Sequence, residues 1–379
     1  MNGRVSLPVV CKQGGFTLVE MMIASALGLV IMAWLTQLLI DTARINREMA
    51  NTSNLLESGR FALQRLREDV GHAGYWGAFV PSFDDLTYSE LPSDVPVRFP
   101  DPCLPFAAWP ARHGQVAALL GMPVQVQPGA VGDSCDALLS AESSALGTDV
   151  LLLRYAQHCI AGDLSCSPAS SGPLYLQVSN CAYELAMGGR FALDPNAAPY
   201  TERDCTTPAA RRRFEQQIYF VRNNGRGIPS LYRSEFGYSM GEQRQLAAQE
   251  LVAGVERFHV ALGVDDRSQT GEAVDYNSAI AWQGLNSRTV ARNRGDGTPD
   301  GPFRYCSDTT PCSIAQLLNT TVLKVYLLVR AGVASPGYLN NQTYVLGDLT
   351  VGPFNDAFKR HLFSSTLRVH NVAGRRETP

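Results

Sequence analysis

Gly14-Gly15-Phe16-Thr17-Leu18-Val19-Glu20 stands directly before an uncharged apolar run from Met21 to Ile40. A conventional secretory signal carries its small-residue cleavage site after the apolar stretch. Here the small residues come first. A cut after Gly15 leaves the apolar segment on the mature chain and makes Phe16 the new N-terminus. A run of about 20 residues at ~1.5 Å each spans a ~30 Å hydrocarbon core. Length alone therefore fits any single-pass protein, including a plain anchor or an uncleaved signal. Ala24-Ser25-Ala26 has the composition of an ordinary signal-peptidase site, but apolar residues continue to Ile40, so that cut would fall mid-run. Glu20 separates the readings. A carboxylate at membrane depth costs on the order of 2.5–3.5 kcal/mol on insertion scales, and so calls for a partner and a role.

Outward from this stretch, Arg4 and Lys12 precede the apolar run and favour a cytoplasmic N-terminus, although Arg44 and Arg47 beyond it weaken the asymmetry. The cysteines support export independently. Cys11 falls within the segment to be removed, and the other eight, Cys103, Cys135, Cys159, Cys166, Cys181, Cys205, Cys306 and Cys312, all follow the apolar run. An even set in an oxidising compartment reads as a disulfide framework. Short loops favour Cys159–Cys166 and Cys306–Cys312, which leaves Cys181, Cys205, Cys103 and Cys135; eight cysteines allow 105 pairings, so the connectivity stays open. No C-x-x-C pair exists, which speaks against structural zinc. A net charge of −3 over 379 residues gives no case for nucleic acid. Arg211-Arg212-Arg213 and Arg375-Arg376 read as solvated surface.

No proline occurs between Val9 and Val80, and apolar periodicity continues past the membrane-length run. Ile45, Met49, Thr52, Leu56, Gly59, Leu63, Leu66 and Val70 recur at steps of four and three, which predicts one long helix with an apolar stripe to about His72. Residues 73–148 are rich in proline, glycine and small residues and read as a long variable loop held by Cys103 and Cys135. Strands are expected at Asp149–Tyr155, Leu174–Val178, Gln217–Arg222 with Ile228–Arg233 as a hairpin, Leu251–Val264, Val322–Val329 and Thr366–Val369. A helix followed by a run of strands, without regular alternation, predicts an α+β fold with the long helix lying on an antiparallel sheet.

The leader stretch resembles the processing site of type IV prepilins. Phe61 to Gly77 (FALQRLREDVGHAGYWG) looks like the helix exit of PilW-type minor pilins, and Gly254 to Asp266 (GVERFHVALGVDD) resembles that family's central strand. Leu323 to Arg330 and His361 to Asn371 resemble its closing segments. The departure is Leu262, where an aromatic is typical before the glycine. The resemblance implies a pilin-like fold with disulfide-held insertions: a leader (1–15), a membrane and filament-core helix segment (16–40), its amphipathic continuation (41–72) and a periplasmic globular domain (73–379). It implies cleavage between Gly15 and Phe16 by a prepilin peptidase and N-methylation of Phe16. It assigns Glu20 to the N-terminal amine of a neighbouring subunit. The implied function is that of a minor pilin that primes assembly and joins a tip complex with other minor pilins, the major pilin and a large tip adhesin. The chain would sit in the inner membrane before assembly and at the pilus tip afterwards. Two alternatives are a J-type minor pseudopilin of a type II secretion system and a membrane-anchored secreted binding module.

Enzymatic chemistry finds little support. Gly237-Tyr238-Ser239-Met240-Gly241 matches the G-x-S-x-G pattern, but the residues before it are polar and no strand–helix alternation surrounds it, so a surface turn is expected. Asp296 and Asp300 are weak calcium candidates in a loop without the EF-hand pattern, and Asp265-Asp266 forms a second acidic pair. No cofactor is called for.

Overall fold

The computed structural model describes residues 15, 17–112, 114–129, 135, 147–164, 166, 170, 172–284 and 289–377. The leader residues 1–14 and Phe16 lie outside the described residues. The chain divides into two compact units, Met1–Ser53 and Asn54–Pro379.

Helix α1 covers Leu18–His72. Its residues up to Ser53 are almost all exposed, with Trp34 at 78% and Leu29 at 72%. An 18-residue window of mean hydropathy 2.1 has no residue buried within the structure. From Asn54 on, the helix is a different object. Leu55, Gly59, Ala62, Leu66, Asp69 and Val70 are buried. The expected stripe is therefore shifted: Ile45 and Met49 are exposed, and Leu56 and Leu63 are only half-buried. Leu55 and Ala62 precede Leu56 and Leu63 by one residue and complete the face that Gly59 and Leu66 share.

The larger sheet contains β1 (Val124–Pro128), β2 (Asp149–Ala156), β3 (Tyr175–Val178), β4 (Phe191–Asp194), β5 (Arg211–Asn223), β6 (Pro229–Ser239), β7 (Glu242–Gln245) and β8 (Gln249–Ala253). Strand β5 organises it, pairing antiparallel with β2, β3 and β6. The second sheet runs in the order β12-β9-β13-β16, with β9 at Val255–Val264, β12 at Arg304–Tyr305, β13 at Thr320–Arg330 and β16 at Arg360–Arg368. Two small ladders complete the set: β10 (Trp282–Gln283) with β11 (Val290–Ala291), and β14 (Tyr344–Leu346) with β15 (Leu349–Val351). The second half of α1 and the inner faces of both sheets enclose one apolar core, from Leu66 and Val70 through Leu151, Val221, Phe258 and Leu327. The architecture is α+β, with every ladder antiparallel.

Further sequence expectations change. The single strand expected over 251–264 is split between the sheets at Gly254, whose φ is +89°. A Cβ there would lie 2.5 Å from the Arg330 carbonyl oxygen, so only glycine lets the chain cross at this point. The segment 73–148 is not loop throughout. It holds α2 (Gln115–Gly121) and β1, and it sends Leu119, Leu120, Met122, Val124 and Val126 into the cores. Its proline and glycine content masked a short apolar stretch that sheet pairing with β2 stabilises.

Four disulfides join Cys103–Cys135, Cys159–Cys166, Cys181–Cys205 and Cys306–Cys312. The Arg375-Arg376 pair, expected in solvent, is inside. Arg376 is 2% exposed, pairs with Asp84 at 2.7 Å and Asp265 at 3.2 Å, and donates to Asn319 and the Leu318 carbonyl. A buried guanidinium needs acceptors around it, and here two of them are the carboxylates of Asp84 and Asp265. The calcium candidates have local duties: Asp296 accepts from the Thr298 amide and Asp300 from the Arg267 amide. Among the described residues, no group of three His, Cys, Asp or Glu side chains is arranged to hold a metal.

Candidate assembly site

Thr17 and Glu20 form a reciprocal capping box at the start of α1. The Thr17 amide and hydroxyl both donate to one Glu20 carboxylate oxygen at 2.9 Å, and the Glu20 amide donates back to the Thr17 hydroxyl at 3.3 Å. This pattern satisfies amides that a helix start otherwise leaves without acceptors. Sequence reasoning had assigned Glu20 only to a neighbour's amine and had missed this local role, although T-x-x-E is its signature.

The remaining polar side chains of the apolar half are satisfied within the helix. Ser25, Thr36 and Thr42 donate to the carbonyls of Met22, Met32 and Leu38. Such internal satisfaction suits a segment surrounded by hydrocarbon or by other apolar helices. Glu20 is the one charge between Leu18 and Ile40. Among the described residues its hydrogen-bond partners all belong to Thr17.

The other end of α1 is fastened by the domain it packs on. Asn371, at the start of the C-terminal helix His370–Arg376, donates to the carbonyls of Gly71, His72 and Ala73 at 3.1–3.2 Å. One amide side chain thus serves the helix's last open acceptors. The Gly74 amide meets the Arg154 carbonyl and the Ala156 amide meets the Tyr75 carbonyl, which ties the helix exit to β2.

Beneath the last turns lies a polar cluster that sequence reasoning did not find. Asp69, 2% exposed, accepts a short hydrogen bond from the Tyr219 hydroxyl and faces Arg233 at 3.7 Å and Arg65 at 3.8 Å. Arg233 also pairs with Glu235. Glu215 sits alongside, paired with Arg213 at 3.1 Å; burial outweighs that arginine and pushes its carboxyl up to about 7. The available signal was an acid three residues from Leu66 on the inner face of the stripe. Another buried cation, Arg154, has no carboxylate partner among the described residues. It is held by Gln216, Gln125 and the Met122 carbonyl, and burial lowers it to about 9.

The G-x-S-x-G sequence is strand–turn–strand. Ser239 pairs with Glu242 across a two-residue turn in which Met240 is left-handed and 92% exposed. A nucleophile elbow needs a strand–turn–helix instead.

Comparison with known families agrees with this geometry. Residues 218–371 match the family described as Type IV Pilus-assembly protein W, and residues 11–36 match the prokaryotic N-terminal methylation motif. The first match runs from within β5 to the capping residue Asn371 and includes the whole second sheet. The second covers the segment around Gly15 and Glu20 and the first turns of the apolar helix. No curated protein and no solved structure matches the chain. A processing motif joined to an exposed apolar helix, followed by strands that match the PilW model, supports a type IV pilus minor pilin of the PilW family.

Proposed function

We propose that this minor pilin primes pilus assembly and becomes part of the tip complex, together with other minor pilins and a tip adhesin. In this reading a prepilin peptidase cuts between Gly15 and Phe16, and Phe16 is N-methylated. The N-terminus starts on the cytoplasmic side, the cysteine-bearing domain in the periplasm, and the apolar helix moves from membrane to filament core. The role is structural, not enzymatic.

One observation carries the proposal. Glu20 is the one charge between Leu18 and Ile40, on a stretch whose apolar surface is uncovered, and among the described residues its hydrogen-bond partners all belong to Thr17. A neighbour's terminal amine, set one helical turn earlier in its chain, supplies the missing charge and fixes the axial register between subunits. The carboxylate has lone pairs beyond those that Thr17 occupies, so capping and pairing are compatible.

The test is Glu20→Ala in the full-length chain. Membrane insertion and disulfide formation should match wild type, while recovery in sheared pili should fall severalfold or more. Gly15→Val should separately block maturation, because the peptidase must approach the backbone closely at the cut. Wild-type incorporation of Glu20→Ala, together with unchanged piliation on deletion of the chain, would return the chain to the anchored-module reading. Normal piliation with loss of protein secretion would favour the pseudopilin role.

A further inference from the structure

His259, on β9, is 7% exposed and has both ring nitrogens engaged by carboxylates from different elements. Nδ1 lies 2.8 Å from Asp149 at the start of β2, and Nε2 lies 2.8 Å from Asp348 in the turn between β14 and β15. Ionised carboxylates only accept hydrogen bonds. A neutral imidazole has a single N–H, so both bonds exist together only on the imidazolium. The aromatic groups facing the ring are Tyr305 of β12, stacked at 5.4 Å and 8°, and Tyr326 of β13 at 6.4 Å; Lys324 lies 5.5 Å from the Tyr326 ring.

What this cation holds down is the β14–β15 hairpin. Tyr344 and Leu346 of the hairpin, with Leu349 and Val351, pack on Tyr326, Leu328 and Leu362. Tyr326 and Leu328 alternate along β13 with Val325 and Leu327, which face the main core. The hairpin therefore covers the outer face of the second sheet. Its tip is closely seated: Gly347 has φ +77°, and a Cβ there would come within 2.5 Å of the Tyr305 ring and hydroxyl.

We propose that this hairpin is a proton-latched strap, fastened at its tip by the His259 imidazolium and loosened when that ring becomes neutral. The two carboxylates are not equivalent, and this decides which bond is lost. Asp149 is 7% exposed and also accepts from the Val260 amide at 2.8 Å, whereas the Asp348 side chain is 52% exposed. A buried carboxylate deprived of a donor is the costlier outcome, so the remaining N–H stays with Asp149 and Asp348 goes to water. Burial by itself would lower the pKa of His259. The bonds and charges of Asp149 and Asp348 outweigh it and hold it above its ordinary value. The latch is accordingly complete below the ring's ordinary midpoint of about 6.5 and is lost as pH rises through the raised one. Opening bares Tyr326, Leu328 and Leu362, an apolar face that the closed strap hides.

Hydrogen exchange of the detergent-solubilised full chain between pH 6 and 8.5, corrected for intrinsic rates, tests this directly. Amides of residues 344–351 should lose protection with rising pH, by about tenfold per pH unit between the free and latched midpoints of the ring. Those of β9 and β13 should not. In D348N the hairpin should be less protected at pH 6 and its exchange should no longer depend on pH. An NMR titration should place His259 above the ordinary value in wild type and lower in D348N. A pH-independent hairpin in wild type, a pH dependence that survives in D348N, or an ordinary His259 midpoint would each overturn the latch.

Discussion

Helix α1 carries two carboxylates that contrast in every physical respect. Glu20 lies on an exposed apolar stretch and, among the described residues, is satisfied only by the residue that starts its own helix. Asp69 lies on the buried face and finds its partners on other elements of its own domain, Tyr219 on β5 and Arg233 on β6, besides Arg65 one turn back. Burying a charge is costly unless the structure answers it. For Asp69 the answer is intramolecular and part of folding. For Glu20 the answer we propose is intermolecular, a neighbour's amine met on assembly. An acid without a counter-charge on an uncovered apolar surface is thus a signal of association, while an acid enclosed with its partners is a signal of packing.

The largest effect should come from Asp69→Ala. It leaves Arg233 and the Tyr219 hydroxyl buried with a partner removed, and breaking a buried ionic group in this way typically costs ~3–5 kcal/mol. Denaturant unfolding of the detergent-solubilised chain should show that loss, whereas Glu20→Ala should unfold as wild type does. Equal and small effects from both substitutions would dissolve the contrast. A large unfolding penalty for Glu20→Ala would show that its role lies in folding.

How legible this was depends on where each partner lies in the chain. The leader, the apolar helix and the main strands were readable because their signals are local: a motif, a run, an alternation. Leu55 and Ala62 were missed because each stands next to another apolar residue, Leu56 and Leu63, and spacing alone does not choose between neighbours; packing does. The partners of Asp69 and Arg376 were invisible because they lie 150 residues (Tyr219) and 292 residues (Asp84) away. Arg375-Arg376 looked like surface because basic pairs usually are, and it is the convergence of Asp84, Asp265, Asn319 and the Leu318 carbonyl that accommodates Arg376 inside. The capping box at Thr17 was legible but eclipsed by the more dramatic reading of Glu20.

A smaller effect, but one whose sign is informative, belongs to Gly59. In a free helix, Gly→Ala stabilises by roughly 0.8–1 kcal/mol. Here a Cβ at Gly59 would overlap the Phe363 ring of β16. Overpacking typically costs ~1–3 kcal/mol, so Gly59→Ala should destabilise, or at best break even. Adding Phe363→Leu should recover part of the loss. A clear gain in unfolding midpoint for Gly59→Ala alone would mean that the helix and β16 do not approach so closely. The packed half of α1 would then be looser than its burial suggests.

The smallest expected effect is the one that sharpens the comparison most. Thr17→Ala removes the hydroxyl that both donates to and accepts from Glu20, while leaving the Thr17 backbone amide to its carboxylate. Loss of an N-cap typically costs ~0.5–2 kcal/mol of helix stability, here confined to the first turn of a helix of 55 residues. If Glu20 matters to assembly chiefly as a capping residue, Thr17→Ala should reproduce most of the Glu20→Ala defect in sheared pili. If it matters as a charge offered to a neighbour, Thr17→Ala should incorporate nearly as well as wild type, because the carboxylate survives with fewer competing donors. The pairing reading requires the second result. Glu20→Gln completes the set: it keeps a hydrogen-bond acceptor for the cap but has no charge, and should therefore behave like Glu20→Ala rather than like Thr17→Ala.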